Sequence, residues 1–171
     1  MALTNKLTAI GDAIREKTGT TELLKLDEMP SVIASIGTGG GKYKPRAISF
    51  YNYSGTDLTY ELENLDMSEL TSIAYTFYRC RNVTEIDLSK HDLSKVTNIG
   101  NAFAQCTSLK KLDIRTLDSS IITSYNSAFI GLPSTCVMIV KDEAFREWFT
   151  RIFTITLIIK TVAEYQAEGG V

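Results

Sequence analysis

The side chains of this chain that could do chemistry recur in register, and their neighbours decide what chemistry is open to them. Asp66, Asp92 and Asp118 are evenly spaced along the chain, and Ser68, Ser94 and Ser120 follow at the same interval. At repeat turns such Asx side chains bond the local backbone; a calcium ladder is the alternative reading. Cys80 and Cys106 hold another register, but Leu132 takes its third place. A leucine standing in for a cysteine points to packing rather than reactivity. Cys136 opens a later strand and reads as buried as well. Three cysteines is an odd count, and no CxxC pair occurs, which argues against a disulfide framework and against a metal or redox role. The single histidine, His91, falls in a polar turn, so no Ser-His-Asp triad can be assembled. Gly39-Gly40-Gly41 leads into a basic, proline-bearing linker rather than a helix, so it is not a phosphate loop. The chain therefore reads as a non-enzyme without cofactor or metal.

What positions these residues is an internal repeat. Phe77-Tyr78-Arg79-Cys80 recurs as Phe103-Ala104-Gln105-Cys106 and as Phe129-Ile130-Gly131-Leu132, and Leu70, Val96 and Ile122, with Thr71, Thr97 and Thr123, share the period of 26. A fixed period between about 20 and 50 residues is the mark of a solenoid, in which successive repeats bury one another's apolar faces. Each repeat reads as a short strand, a turn, and a segment with apolar residues at 3-4 spacing that suits about a turn of helix. The strands are expected around Tyr60 and Leu62, Ile86 and Leu88, Leu112 and Ile114, and Met138 and Val140. Phe77, Phe103 and Phe129 would then stack as an aromatic spine. An earlier strand is expected over residues 47–53, from the alternation of Ile48 and Phe50 with Ser49 and Tyr51, with Tyr51 and Tyr53 on its outer face. The strand faces turned away from the core would carry Glu61, Glu85, Asp87, Lys111, Asp113 and Arg115, the surface on which a repeat array can meet partners.

The second repeat, Phe77-Tyr78-Arg79-Cys80-Arg81-Asn82-Val83-Thr84-Glu85-Ile86-Asp87-Leu88-Ser89 and then Asp92-Leu93-Ser94-Lys95-Val96-Thr97-Asn98, resembles the BspA-like leucine-rich repeats seen in bacterial surface proteins. The third departs at Arg115-Thr116-Leu117. The resemblance covers roughly residues 47 to 140. It implies an α+β solenoid, a short leucine-rich-repeat array of period 26.

Before the array lies a helical arm. Leu3, Leu7, Ile10 and Ile14 fall on one helical face, and Gly19 is a plausible stop. A second helix is expected from Asp27, with Met29, Val32, Ile33 and Ile36 on its apolar face and Pro30 in its first turn. Thr38-Gly39-Gly40-Gly41 then reads as a hinge. The division expected is a helical hairpin arm over 1–36, a glycine-rich linker over 37–45, and the repeat domain with its caps over 46–171. The hairpin either covers one end of the array or docks on a partner, with Leu3, Leu7, Ile10, Ile14, Met29 and Ile33 as the docking stripe; a second copy is one such partner. Leu7-Thr8-Ala9-Ile10-Gly11-Asp12-Ala13-Ile14-Arg15-Glu16-Lys17-Thr18-Gly19, with Leu24-Lys25-Leu26-Asp27-Glu28-Met29-Pro30, resembles a segment of structural proteins of phages of Gram-positive bacteria, in tails, baseplates and fibres. That resemblance implies attachment to other virion proteins.

At the other end, Asp142 should cap a helix carrying Phe145, Trp148 and Phe149 on one face, followed by a strand over 153–159 and a helical turn over 161–166. A net charge of −2 with scattered Lys and Arg gives no nucleic-acid patch. No apolar run reaches the length of about 18 residues needed to span a membrane, and the first residues lack the pattern of a signal peptide. The expectation is a virion component assembled in a host cytoplasm, its repeat domain meeting a host-surface glycan or protein. The alternative is a bacterial leucine-rich-repeat adhesin or effector outside any virion.

Overall fold

The computed structural model describes residues 44–63 and 65–170. The proposed arm, with Leu3, Leu7, Ile10, Ile14, Met29 and Ile33, and most of the linker lie outside the described residues. Among the latter the fold is mixed α/β, with one four-stranded parallel sheet and three helices. In chain order these are α1 (Thr59–Glu63), β1 (Glu85–Asp87), β2 (Lys111–Asp113), β3 (Val137–Val140), α2 (Glu143–Ile152), β4 (Ile158–Thr161) and α3 (Val162–Ala167).

The sheet runs β1-β2-β3-β4, and its register is the sequence period made physical. Ile86 pairs with Leu112 and Leu112 with Met138, each exactly one period further along the chain. All three are fully buried. Such short strands would be marginal alone; stacking lets each bury its apolar residue against the next. The step from β3 to β4 breaks the period, since Val137 pairs with Ile158, and here the crossover that parallel strands need is supplied by α2. Asp142 accepts the Phe145 amide at 3.0 Å, capping α2. Phe145, Trp148 and Phe149 face inward at 3-4 spacing. Phe149 and Phe153 then close over Phe129, with ring centroids 5.2 and 5.1 Å away. This is why residues 153–157 are not strand as expected: Phe153 is drawn into that aromatic cluster, and pairing starts only at Ile158. A capping box between Thr161 and Glu164 starts α3, and Arg146 of α2 holds Glu164.

The phenylalanine spine is present and longer than expected. Phe77 and Phe103 stack at 5.5 Å, Phe103 and Phe129 at 5.7 Å. A fourth ring, Phe50, stacks on Phe77 at 5.5 Å. Phe50-Tyr51-Asn52-Tyr53 is thus a further rung ahead of Phe77-Tyr78-Arg79-Cys80, one position further away than the period would put it. The expected strand over 47–53 does not form; Phe50 and Asn52 instead donate their amides to the Thr76 and Tyr78 carbonyls.

Two further expectations are corrected. The segment expected as a strand around Tyr60 and Leu62 forms α1 instead. Leu58 and Leu62, four apart, are buried while Tyr60 between them is 56% exposed, which is a helical pattern, and Asp57 accepts the Thr59 amide at 2.8 Å. The segments at 73–80 and 99–106 are not helical either. Each makes successive tight turns, as in Thr76 N to Ile73 O, Tyr78 N to Tyr75 O and Cys80 N to Phe77 O. Tyr75, Arg79, Asn101, Gln105 and Ser127 take positive φ, and Gly131 and Asn52 complete one of the two columns. Amides between those turn bonds are given to the next rung: Ile73 to Asn98, Tyr75 to Gly100, Phe77 to Ala102 and Arg79 to Ala104. A helix would hold these donors within the segment; sharing them across rungs leaves the apolar residues at 3-4 spacing but unwinds the backbone.

Candidate functional site

Each residue singled out for chemistry has a local role. In Asp66, Asp92 and Asp118 the carboxylate Oδ1 accepts the amide of the serine two positions on, at 3.0, 2.9 and 2.9 Å. The Ser68 hydroxyl and amide, with Lys44 at 3.2 Å, bring Asp66 down to about 2. Bonds from Ser94 and Ser120 lower Asp92 and Asp118 in the same way. Among the described residues no cluster of three or more His, Cys, Asp or Glu is placed to hold a metal ion.

All three cysteines are free and buried. The Cys106 thiol donates to the Phe77 carbonyl at 3.0 Å and the Cys80 thiol to the Phe50 carbonyl at 3.1 Å. Each thiol thus bonds the previous rung behind its aromatic ring. The neighbouring Cys80 thiol, and burial, push Cys106 up; burial pushes Cys136 up to about 11. Neither is poised as a thiolate nucleophile. His91 lies at the expected turn but is itself buried, at 5% exposure, and its amide donates to Leu88 O.

The charged strand face is assembled only in part. Glu61 is on α1, not on the sheet, and accepts the Tyr53 hydroxyl at 2.9 Å. Glu85 and Asp87 lie on β1, Lys111 and Asp113 on β2, with Arg115 just beyond. These five are brought together, and four of them form two ion pairs. Lys111 pairs with Glu85 at 2.8 Å. Arg115 grips Asp113 through two nitrogens at 2.6–3.1 Å, and Asp113 is fully buried. Tyr165 of α3 lies 5.5 Å from the Lys111 ammonium and 5.7 Å from the Arg115 guanidinium. The face expected to meet a partner is thus partly covered by the chain's own C-terminal helix, and a buried, bidentate pair is already satisfied.

A different surface was missed. Tyr75, Tyr78 and Arg79 stand on the tight turns beside Tyr51, which the sequence placed on an outer face. The signal was present in the tetrads: their second and third residues are Tyr-Arg, Ala-Gln and Ile-Gly in turn, so aromatic and cationic character is confined to one end.

A ladder of parallel strands in step with the sequence period, tight turns at positive φ, and a phenylalanine spine together describe residues 50 to 140. A family model described as "Mycoplasma protein of unknown function, DUF285" matches residues 47–139, more than half of the chain. The chain belongs to the DUF285 family. The boundaries of the match coincide with the ladder: it begins just before the Phe50 rung and ends within β3. A DUF285 match is consistent with the BspA-like repeat read from Phe77 to Asn98. Neither a search of curated proteins nor one of solved structures finds a match. No helix among the described residues is long and apolar enough to cross a membrane.

Proposed function

We propose that this DUF285 chain is a non-enzymatic structural protein of a phage particle, in which residues 1–36 attach to other virion proteins and a short BspA-like solenoid projects as an adhesion module. The observation that carries the non-enzymatic part is the consumption of reactive side chains by the fold: the aspartates hold their own turns, the Cys80 and Cys106 thiols bond carbonyls of the preceding rung, and Asp113 is locked to Arg115. The virion part rests on the resemblance of about the first 36 residues, carried by Leu7 to Gly19, Leu24 to Pro30 and Ile33, to phage structural proteins. Tail, baseplate, fibre and capsid surface are all open to such an arm.

Sedimentation of a producing lysate on a density gradient tests the assignment. The protein should travel with assembled particles, and a chain lacking residues 1–36 should stay at the top of the gradient while keeping its thermal transition. Loss of that transition would make the arm a cap for the array instead. A second reading has its own support, since the matching family is described from Mycoplasma: a bacterial repeat adhesin or effector. Recovery with the cell envelope and never with particles would establish that reading and end the first.

A further inference from the structure

The turns of the first two rungs carry side chains that neither the core nor the sheet employs. Tyr51 is 48% exposed and Tyr75 52%. Tyr51 stacks on Tyr78 at 5.2 Å, Tyr75 leans on Tyr78 at 5.7 Å, and the Arg79 guanidinium lies 5.2 Å over the Tyr78 ring. Tyr75 and Arg79 have φ of 58° and 61°, a region that bulky side chains resist. The following rungs place Asn101 and Ser127 at the position of Tyr75, and Gln105 and Gly131 at that of Arg79. The fold itself therefore does not require Tyr75 or Arg79. Backbone strain accepted at an exposed side chain, with no core burial in return, marks a position kept for contact.

The charges point the same way. Lys44, Lys95, Lys111, Lys141 and Lys160 each pair with a carboxylate. Arg79 and Arg81, two apart and both exposed, have no ion pair among the described residues, as is also true of Arg46, Lys90, Lys110 and Arg151; Arg79 differs in lying over a tyrosine ring. A guanidinium fork held over a tyrosine ring suits a carboxylate or phosphate.

We propose that this face binds an acidic polysaccharide, with pyranose rings lying against Tyr51 and Tyr75 and acid groups held by Arg79 and Arg81. The exposed group is aromatic and polar with no aliphatic anchor among its members. That composition fits the C–H faces and hydroxyls of sugars better than a protein segment, whose anchors fill apolar pockets. Such binding presupposes the adhesion role proposed above and gives it a ligand class.

Titration of the full chain with polygalacturonate and with hyaluronate, against dextran and polyglutamate, is the test. At least one acidic polysaccharide should bind at least tenfold more tightly than dextran or polyglutamate, and binding should weaken as salt is added. Tyr75→Asn and Arg79→Asn should each lower that affinity at least tenfold while the melting temperature holds or rises, because asparagine tolerates positive φ. Arg81→Gln, away from positive φ, should do the same without touching the turn. Failure to bind either acidic polysaccharide overturns the site. So does equal binding of polyglutamate, which would mean charge alone or an acidic protein, or of dextran, or an unchanged affinity in the three variants. Glycan binding by a chain that never sediments with particles leaves the site standing and removes the virion role; particle incorporation without glycan binding removes the site alone.

Discussion

Phe103→Ala is the sharpest test of the stacked array. Phe103 is fully buried and has a ring on each side, Phe77 at 5.5 Å and Phe129 at 5.7 Å. Truncating a buried phenylalanine costs about 3–5 kcal/mol through lost transfer and the cavity left behind. The two ring contacts place this position toward the upper end, since each stacked pair is worth about 0.5–1.5 kcal/mol beyond its area. With a urea m-value of about 2 kcal/mol/M, the midpoint should fall by about 2 M. That is a large part of the roughly 5–15 kcal/mol a native domain holds. The internal control is Phe50→Ala, at the end of the spine. Phe50 is half-buried, stacks on Phe77 on one side only and meets the Tyr53 ring edge-on at 6.3 Å, so the cost should be about 1–2 kcal/mol, below that of burying a whole side chain. Urea unfolding followed by circular dichroism reads both. A loss below about 1.5 kcal/mol at Phe103, or a smaller loss there than at Phe50, would refute the idea that the rungs stand by burying one another.

Three other outcomes follow from the turns, the carboxylates and the thiols. Gly131 has φ of 79°, and a Cβ there would meet the Gln105 side-chain amide nitrogen, Nε2, at 2.8 Å; Gly131→Val should destabilise by about 1–2 kcal/mol, chiefly through the backbone conformation, whereas Ser127→Gly, at φ 55°, should be neutral or stabilising by a few tenths of a kcal/mol in the same unfolding assay. Asp66 titrates near 2 in the folded chain against 3.8 normally, and Asp92 and Asp118 are also lowered. Depressed folded values mean stability that is present above the unfolded value and lost as pH falls through the folded one. The urea midpoint should therefore drop between about pH 4 and pH 2, and the triple variant Asp66→Asn, Asp92→Asn, Asp118→Asn should flatten that limb. A limb of unchanged steepness would locate the acid sensitivity elsewhere. Finally, Cys80, Cys106 and Cys136 should resist an aromatic disulfide reagent at about pH 8 in the native chain and react fully once unfolded; fast native labelling would contradict their burial.

Much of the array was legible because a period constrains many positions at once. The tetrads fix the spine, the aspartates fix the turns, and Asp142 with Phe145, Trp148 and Phe149 fixes α2. The Phe50 rung escaped detection for two reasons. It is displaced by one position from the period, so a strict repeat misses it, and Tyr53 stands where Cys80 and Cys106 stand. Its residues alternate well enough to imitate a strand. Residues 58–62 show the same ambiguity: Leu58, Tyr60 and Leu62 satisfy both alternation and an i, i+4 pair, and only the exposure of Tyr60 decides between them. The turn segments were read as helical because period alone reports which residues are buried, not where their amides go. Here the amides go to the next rung. As for the surface, pattern identified the charged strand residues but could not show that Tyr165, near the far end of the chain, would fold over Lys111 and Arg115.

The constant register from β1 to β3 has a genetic consequence. Glu85, Lys111 and Val137 are interchangeable in their pairing role, so a tandem duplication of the coding sequence for one whole period inserts a whole rung. The Phe50 rung at one end and α2 with Phe153 at the other stay untouched, while the sheet widens by about 4.8 Å. In-frame slippage during replication can therefore lengthen or shorten this protein in quanta, without designing a new interface at each step. Variation in rung number among related genes is the expected trace.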